Sequence, residues 1–101
     1  KAAEEFKIAI QLKPNYADAY HNLGLTYQRM GQCDYAIKSY VEAIRLNPRL
    51  WQSYQNLSMI YFESGDYQKA REYIQTALSF DPDNLTLKQI KEKFETTNLG
   101  G

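Results

Sequence analysis

The sequence has too little of several residue types to support catalytic or metal-based chemistry. One cysteine, Cys33, and one histidine, His21, stand among 101 residues. They cannot make an internal disulfide, nor supply the four ligands of a closed zinc site. A Cys–His nucleophile needs both side chains within hydrogen-bond reach, and no third group to orient the base is evident. Glycine-rich phosphate loops are missing, and neither sign of charge prevails, with 12 Lys plus Arg against 12 Asp plus Glu. Such a balance offers no field for nucleic acid or for an anionic membrane surface. No apolar run approaches the roughly 20 residues that span a bilayer, and no signal-type segment opens the chain. The expectations are a non-enzyme with no cofactor, no metal, no nucleic-acid partner and no membrane insertion. The unpaired cysteine suits a reducing compartment, so a cytoplasmic location is expected.

What is present is periodic. Tyr20, Leu23, Tyr27, Gly31, Ala36, Ala43 and Pro48 recur 34 residues later as Tyr54, Leu57, Tyr61, Gly65, Ala70, Ala77 and Pro82. Running the register backwards places Pro14, Ala9, Phe6 and Ala2 under Pro48, Ala43, Tyr40 and Ala36. Residues 1–16 therefore read as the second half of a repeat, 17–50 and 51–84 as full repeats, 85–95 as a capping helix and 96–101 as a frayed tail. Lys1 already lies within a helical pattern, and the chain is expected to be a piece of a longer protein.

Within each repeat the spacing is helical. Tyr20, Leu23, Gly24 and Tyr27 fall within about a third of a helix circumference, which makes them the buried stripe. Gly24 and Ala36 allow close backbone approach, and Tyr20, Tyr27 and Tyr40 fill the space beside them. Gly31 and Gly65 are placed to end the first helix of each pair. Asn47-Pro48 and Asp81-Pro82 end the second, because proline lacks an amide hydrogen and disfavours helix in the residue before it. Helices are predicted near 2–12, 17–30, 34–46, 51–64, 68–80 and 85–95. Cys33, in register with Tyr67, is expected to be a small, buried or half-buried and inert packing residue.

The pattern aromatic-x2-Leu-Gly-x2-Tyr, then Ala-x3-aromatic, then Pro, resembles the tetratricopeptide repeat. Tyr20, Leu23, Gly24, Tyr27, Ala36, Tyr40, Ala43 and Pro48 match it in order. The following repeat departs at Ser58, where Gly24 stands, and at Ile74, where Tyr40 stands. The resemblance covers about residues 1–84 and implies an all-α fold, a right-handed α-solenoid of antiparallel helix pairs. In such stacks the first helices line a concave groove. The resemblance thus implies that Asp18, Asn22, Leu25 and Arg29, with Gln52, Asn56, Met59 and Glu63, form its floor, flanked by His21, Gln28, Gln55 and Phe62.

Asn22 and Asn56 each offer a donor and an acceptor, the pair needed by one amide unit of an extended peptide. A similar asparagine row reads peptide backbone in the superhelix of O-linked N-acetylglucosamine transferases. An ordinary solvated role for these amides stands beside that reading. Leu25, Met59 and Phe62 could accept ligand side chains, or be the scattered apolar residues that surfaces carry. Arg29 and Glu63 are expected to pair with each other. A clamp for a chaperone C-terminal carboxylate is disfavoured, because Asp18, Gln52 and Ile90 stand where its cations are required. The leading expectation is a scaffold that binds another protein's extended segment. The alternatives are an oligomerisation module joined through its terminal helices, and the substrate-guiding arm of a larger enzyme.

Overall fold

The computed structural model describes residues 17–100; the helix expected at 2–12 lies outside them. Five helices and no strand occur among the described residues: α1 (Ala17–Arg29), α2 (Cys33–Leu46), α3 (Trp51–Glu63), α4 (Tyr67–Phe80) and α5 (Leu85–Gly100). The chain divides into two compact units, with the boundary between Ser53 and Tyr54 inside α3.

Punctuation by glycine sets where the first helix of each pair stops. Gly31 and Gly65 have φ of +77° and +92°, a left-handed conformation that costs glycine little. Each closes a Schellman motif. Gln32 N–H bonds to the Tyr27 carbonyl and Gly31 N–H to that of Gln28 (2.9 and 3.1 Å), as Asp66 and Gly65 do to Tyr61 and Phe62 (2.9 and 3.1 Å). Orphan carbonyls at both helix ends are thereby satisfied. The second helices end alike, with the amides of Asn47 and Asp81 bonded to Ala43 and Ala77 just before Pro48 and Pro82.

In the first unit α1 packs on α2. Leu23, Gly24 and Tyr27 of the expected stripe are buried, whereas Tyr20 is only half-buried. Opposite them Ala36, Tyr40 and Ala43 are fully enclosed. The Tyr40 ring lies directly against Gly24: a Cβ there would sit 2.6–2.9 Å from three ring atoms. No side chain fits in that contact without displacing the ring, so the absent side chain is what lets the two helices meet.

In the second unit the rings of Tyr54, Tyr61, Tyr73 and Phe80 form a continuous aromatic column between α3 and α4. Tyr61 and Tyr73 stack at 5.6 Å and 7°, and Tyr54 leans on Tyr73 and Phe80 at 6.2 and 5.8 Å. Burial first, and the neighbouring Tyr61 next, push the Tyr73 phenol above its ordinary pKa of 10.0. α5 packs on α4 and buries Leu87 and Phe94, and Phe94 stacks on Phe62 of α3 at 4.4 Å and 16°.

Two expectations need correction. The last helix does not fray at 96 but runs to Gly100. No proline or glycine lies between Asn84 and Gly100, and the weak helix preference of Thr and Asn costs only tenths of a kcal/mol per residue. Cys33 is exposed, not buried. It is the first residue of α2, two residues past the reversal at Gly31, and Tyr67 in the matching place at the start of α4 is exposed too.

Candidate functional site

The side of α1 away from Leu23 and Tyr27 carries Asp18, Asn22, Leu25 and Arg29, spaced so that all four lie along one face. Asp18, Asn22 and Arg29 are exposed and Leu25 is half-buried. α3 repeats the row with Gln52 and Glu63 exposed and Asn56 and Met59 half-buried. Thr26 donates its hydroxyl to the Asn22 main-chain carbonyl at 3.0 Å, a bond internal to α1.

Three of the four residues expected to flank this face, His21, Gln28 and Phe62, have side chains engaged within the fold. His21 is half-buried, and its Nδ1 lies 2.7 Å from Oγ of Ser53, a fully buried residue. The imidazole also leans on Tyr40, with ring centres 5.4 Å apart. Burial lowers its pKa below the ordinary 6.5, and the Asp18 carboxylate raises it by less. Gln28 accepts the Tyr40 hydroxyl proton at 2.7 Å. His21, Gly24 and Gln28 thus enclose one tyrosine from one side of α1. In the second unit the main-chain carbonyl of Gln55 accepts from the Ser58 hydroxyl at 2.6 Å, a bond internal to α3 that does not involve the half-buried Gln55 side chain. One face of Phe62 is taken by Phe94, Tyr67 is tilted against it at 5.2 Å, and the Lys93 ammonium lies 5.9 Å from its centre. Of the three apolar residues expected to receive ligand side chains, Phe62 is therefore already engaged within the fold.

Sequence reasoning missed Ser53 as the partner of His21. The signal was there: Ala19, Ser53 and Leu87 occupy one column at period 34, all buried, and a lone polar residue in an otherwise apolar column calls for a hydrogen-bond partner.

Elsewhere a shallow cleft of about 690 Å³ runs along α4 and α5, lined by Gln75, Thr76, Ser79, Pro82 and Lys91 among others. Lys91 is 3.8 Å from Glu95, and the mixed polar lining gathers no convergent set of groups. No cluster of metal-ligating side chains occurs among the described residues. No helix of these residues is long and apolar enough to cross a membrane.

Comparison with known proteins follows the repeat boundaries. Models of the tetratricopeptide repeat match residues 17–50 and 51–84, and a TPR repeat model matches residues 1–31. No curated protein matches the sequence. Among solved structures, a crystal structure of MamA is 35% identical with a TM-score of 0.78, over 79% of this chain and 47% of that one. A second MamA crystal structure is 26% identical with a TM-score of 0.86, over 91% and 50%. This chain therefore spans about half the length of those MamA chains. The first TPR of Spaghetti (RPAP3), bound to the HSP90 peptide SRMEEVD, superposes with a TM-score of 0.89 over 96% of this chain and 77% of that one. At 15% identity that likeness shows the shared fold alone.

Proposed function

The chain belongs to the tetratricopeptide repeat family, and from that premise we propose that it is a protein–protein interaction module holding an extended peptide segment against the outward faces of α1 and α3. The observation that carries this reading is the pair of rows at period 34. Each puts an asparagine one residue before a buried leucine, Asn22 before Leu23 and Asn56 before Leu57. The buried leucines fix the helices, and each asparagine stands about 100° around its helix from its leucine, Asn22 exposed and Asn56 half-buried. A primary amide there can give and take a hydrogen bond with a peptide backbone whatever the peptide's side chains are. Leu25 and Met59, three residues further on, supply adaptable apolar contact beside each amide.

The Spaghetti structure holds an acidic peptide. In this chain the proposed faces offer Asp18, Gln52 and Glu63, so an acidic segment finds carboxylates or a neutral amide over most of the row, with Arg29 the one cation in it. A neutral or mixed-charge segment suits this surface better, since like charges in contact oppose association.

The test is a peptide selected by display against the folded chain and then titrated calorimetrically. Two hydrogen bonds of about 1–1.5 kcal/mol each mean that the Asn22→Ala, Asn56→Ala double variant should bind roughly 30- to 150-fold more weakly, with unchanged circular dichroism. SRMEEVD is expected not to bind in the micromolar range. Equal affinity of the double variant would remove the asparagines from the interface, and tight binding of SRMEEVD would overturn the charge argument.

A further inference from the structure

The 34-residue register carries the outward row of α3 onto α5. The residues 34 positions beyond Asn56 and Met59 are Ile90 and Lys93, so the amide gives way to an apolar side chain and the apolar contact to a cation. Ile90 is half-buried and Lys93 exposed. Within the second unit the two helices meet at this level. Phe62 of α3 stacks on Phe94 at 4.4 Å, and the Lys93 ammonium lies 5.9 Å from the Phe62 ring centre. Ile90 precedes Lys93 by one turn on α5, as Met59 precedes Phe62 on α3, and both are half-buried apolar residues.

Lys93 differs from the other lysines of α5 in having no carboxylate within reach along its helix. Lys88 and Lys91 each have a glutamate four residues on, Glu92 and Glu95, and the second pair closes to 3.8 Å. Three and four residues from Lys93 stand Gln89, Ile90, Thr96 and Thr97, none of which can pair with it as an ion. The Phe62 ring orients the ammonium without neutralising it, because a cation near an exposed ring is held weakly and keeps its hydrogens for another acceptor.

We propose that Lys93 is a specificity-determining residue of the peptide surface, taking the side-chain carboxylate of one internal Asp or Glu whose apolar neighbour is received by Met59 and Ile90. This rests on the peptide-binding reading of α1 and α3, and adds a point at which the bound segment must be acidic. A chain terminus is the poorer fit. Its carboxylate lies on the main chain, which the asparagines address, whereas Lys93 stands in the column of Leu25 and Met59, which meets side chains. A segment with one carboxylate in that register and neutral residues elsewhere also avoids like charge at Asp18 and Glu63.

The test titrates peptides selected by display against the folded chain into four proteins: the parent, Lys93→Glu, Lys91→Glu and the Asn22→Ala, Asn56→Ala double variant. Lys91→Glu makes the same change of net charge about 200° around the helix from Lys93. The selected peptides should share one acidic residue beside an apolar one. Lys93→Glu should weaken binding roughly 10-fold and Lys91→Glu less than about 2-fold, with helicity unchanged in both. Replacing the peptide's acidic residue by lysine should restore most of the affinity for Lys93→Glu alone. Peptides without a shared acidic residue, equal loss in the two charge reversals, or no rescue by the exchanged peptide would each overturn the role of Lys93. The peptide surface itself would then still stand if the asparagine variant bound more weakly. Loss in Lys93→Glu with the asparagine variant unchanged would keep the cation site and remove the asparagines, and binding that neither variant weakens would overturn both.

Discussion

The two units fill equivalent slots with different side chains. Where the first sets Gly24 under the ring of Tyr40, the second has Ser58 and Ile74, so a larger residue on one helix is matched by a smaller one on the other. The Ser58 hydroxyl, which has no counterpart in the first unit, is absorbed by the Gln55 carbonyl of its own helix. The first unit closes through polar links, His21 to Ser53 and Tyr40 to Gln28, beside one ring stack of Tyr27 on Tyr35. The second closes through rings, with Tyr61 on Tyr73 and Phe62 on Phe94. The repeat thus constrains the summed volume of a slot more tightly than the identity of its occupants, as close-packed interiors require.

The largest way to separate the units is to empty the aromatic contact of the second. Phe94→Ala removes a fully buried ring and should cost about 3–5 kcal/mol, read from urea unfolding, with protection lost first in α4 and α5. Next comes the exchange of slot fillings. Gly24→Ser drives a Cβ into the Tyr40 ring and should cost about 1–3 kcal/mol, whereas Ser58→Gly should cost about 1 kcal/mol or less. Adding Tyr40→Ile to Gly24→Ser relieves the collision, so a double-mutant cycle on melting curves should show favourable coupling of at least about 0.5 kcal/mol. Additive losses would mean that the two slots do not compensate.

Helix capping gives a smaller contrast. The Asp66 carboxylate accepts the Lys69 amide hydrogen at 3.2 Å and caps α4, while Gln32 at the same place makes no side-chain cap on α2. Asp66→Ala should lose about 1 kcal/mol, and Gln32→Asp should gain up to about that amount, both by thermal melting. The smallest effect concerns pH. The second unit has Gln55 and Leu87 where the first has His21 and Ser53, so acidification below 6.5 should weaken amide protection in α1 and α2 but not in α4 and α5. Equal loss in both units would show that carboxylates, rather than His21, govern the acid response.

Much of this architecture was legible because glycine, proline and the 34-residue period mark element ends directly. The predicted starts of α1, α3 and α5 at 17, 51 and 85 coincide with those observed, and those of α2 and α4 differ by one residue. What periodicity could not supply was the neighbour in each direction. It placed His21, Gln28 and Phe62 beside an outward face, but the angle of a residue around its own helix says nothing of whether a ring from another helix occupies that sector. Tyr40 does so for His21 and Gln28, and Phe94 for Phe62. Cys33 was misjudged for a related reason, since a match to Tyr67 fixes its register and not its burial. Asn22 and Leu25 were placed on one face by spacing alone; Asn22 is exposed and Leu25 half-buried.

The fit of Tyr40 against Gly24 also bears on how such repeats can diverge. A lineage leaving the Gly/Tyr filling for the Ser/Ile one has two first steps open to it, and they are unequal. Enlarging the glycine first produces a collision inside a sealed interface. Trimming the tyrosine first leaves a void and a Gln28 amide that can turn to water, an intermediate that selection tolerates more readily. Shape alone therefore gives this pair of substitutions a preferred chronology, and ancestral repeats should preserve Gly/Ile combinations far more often than Ser/Tyr ones.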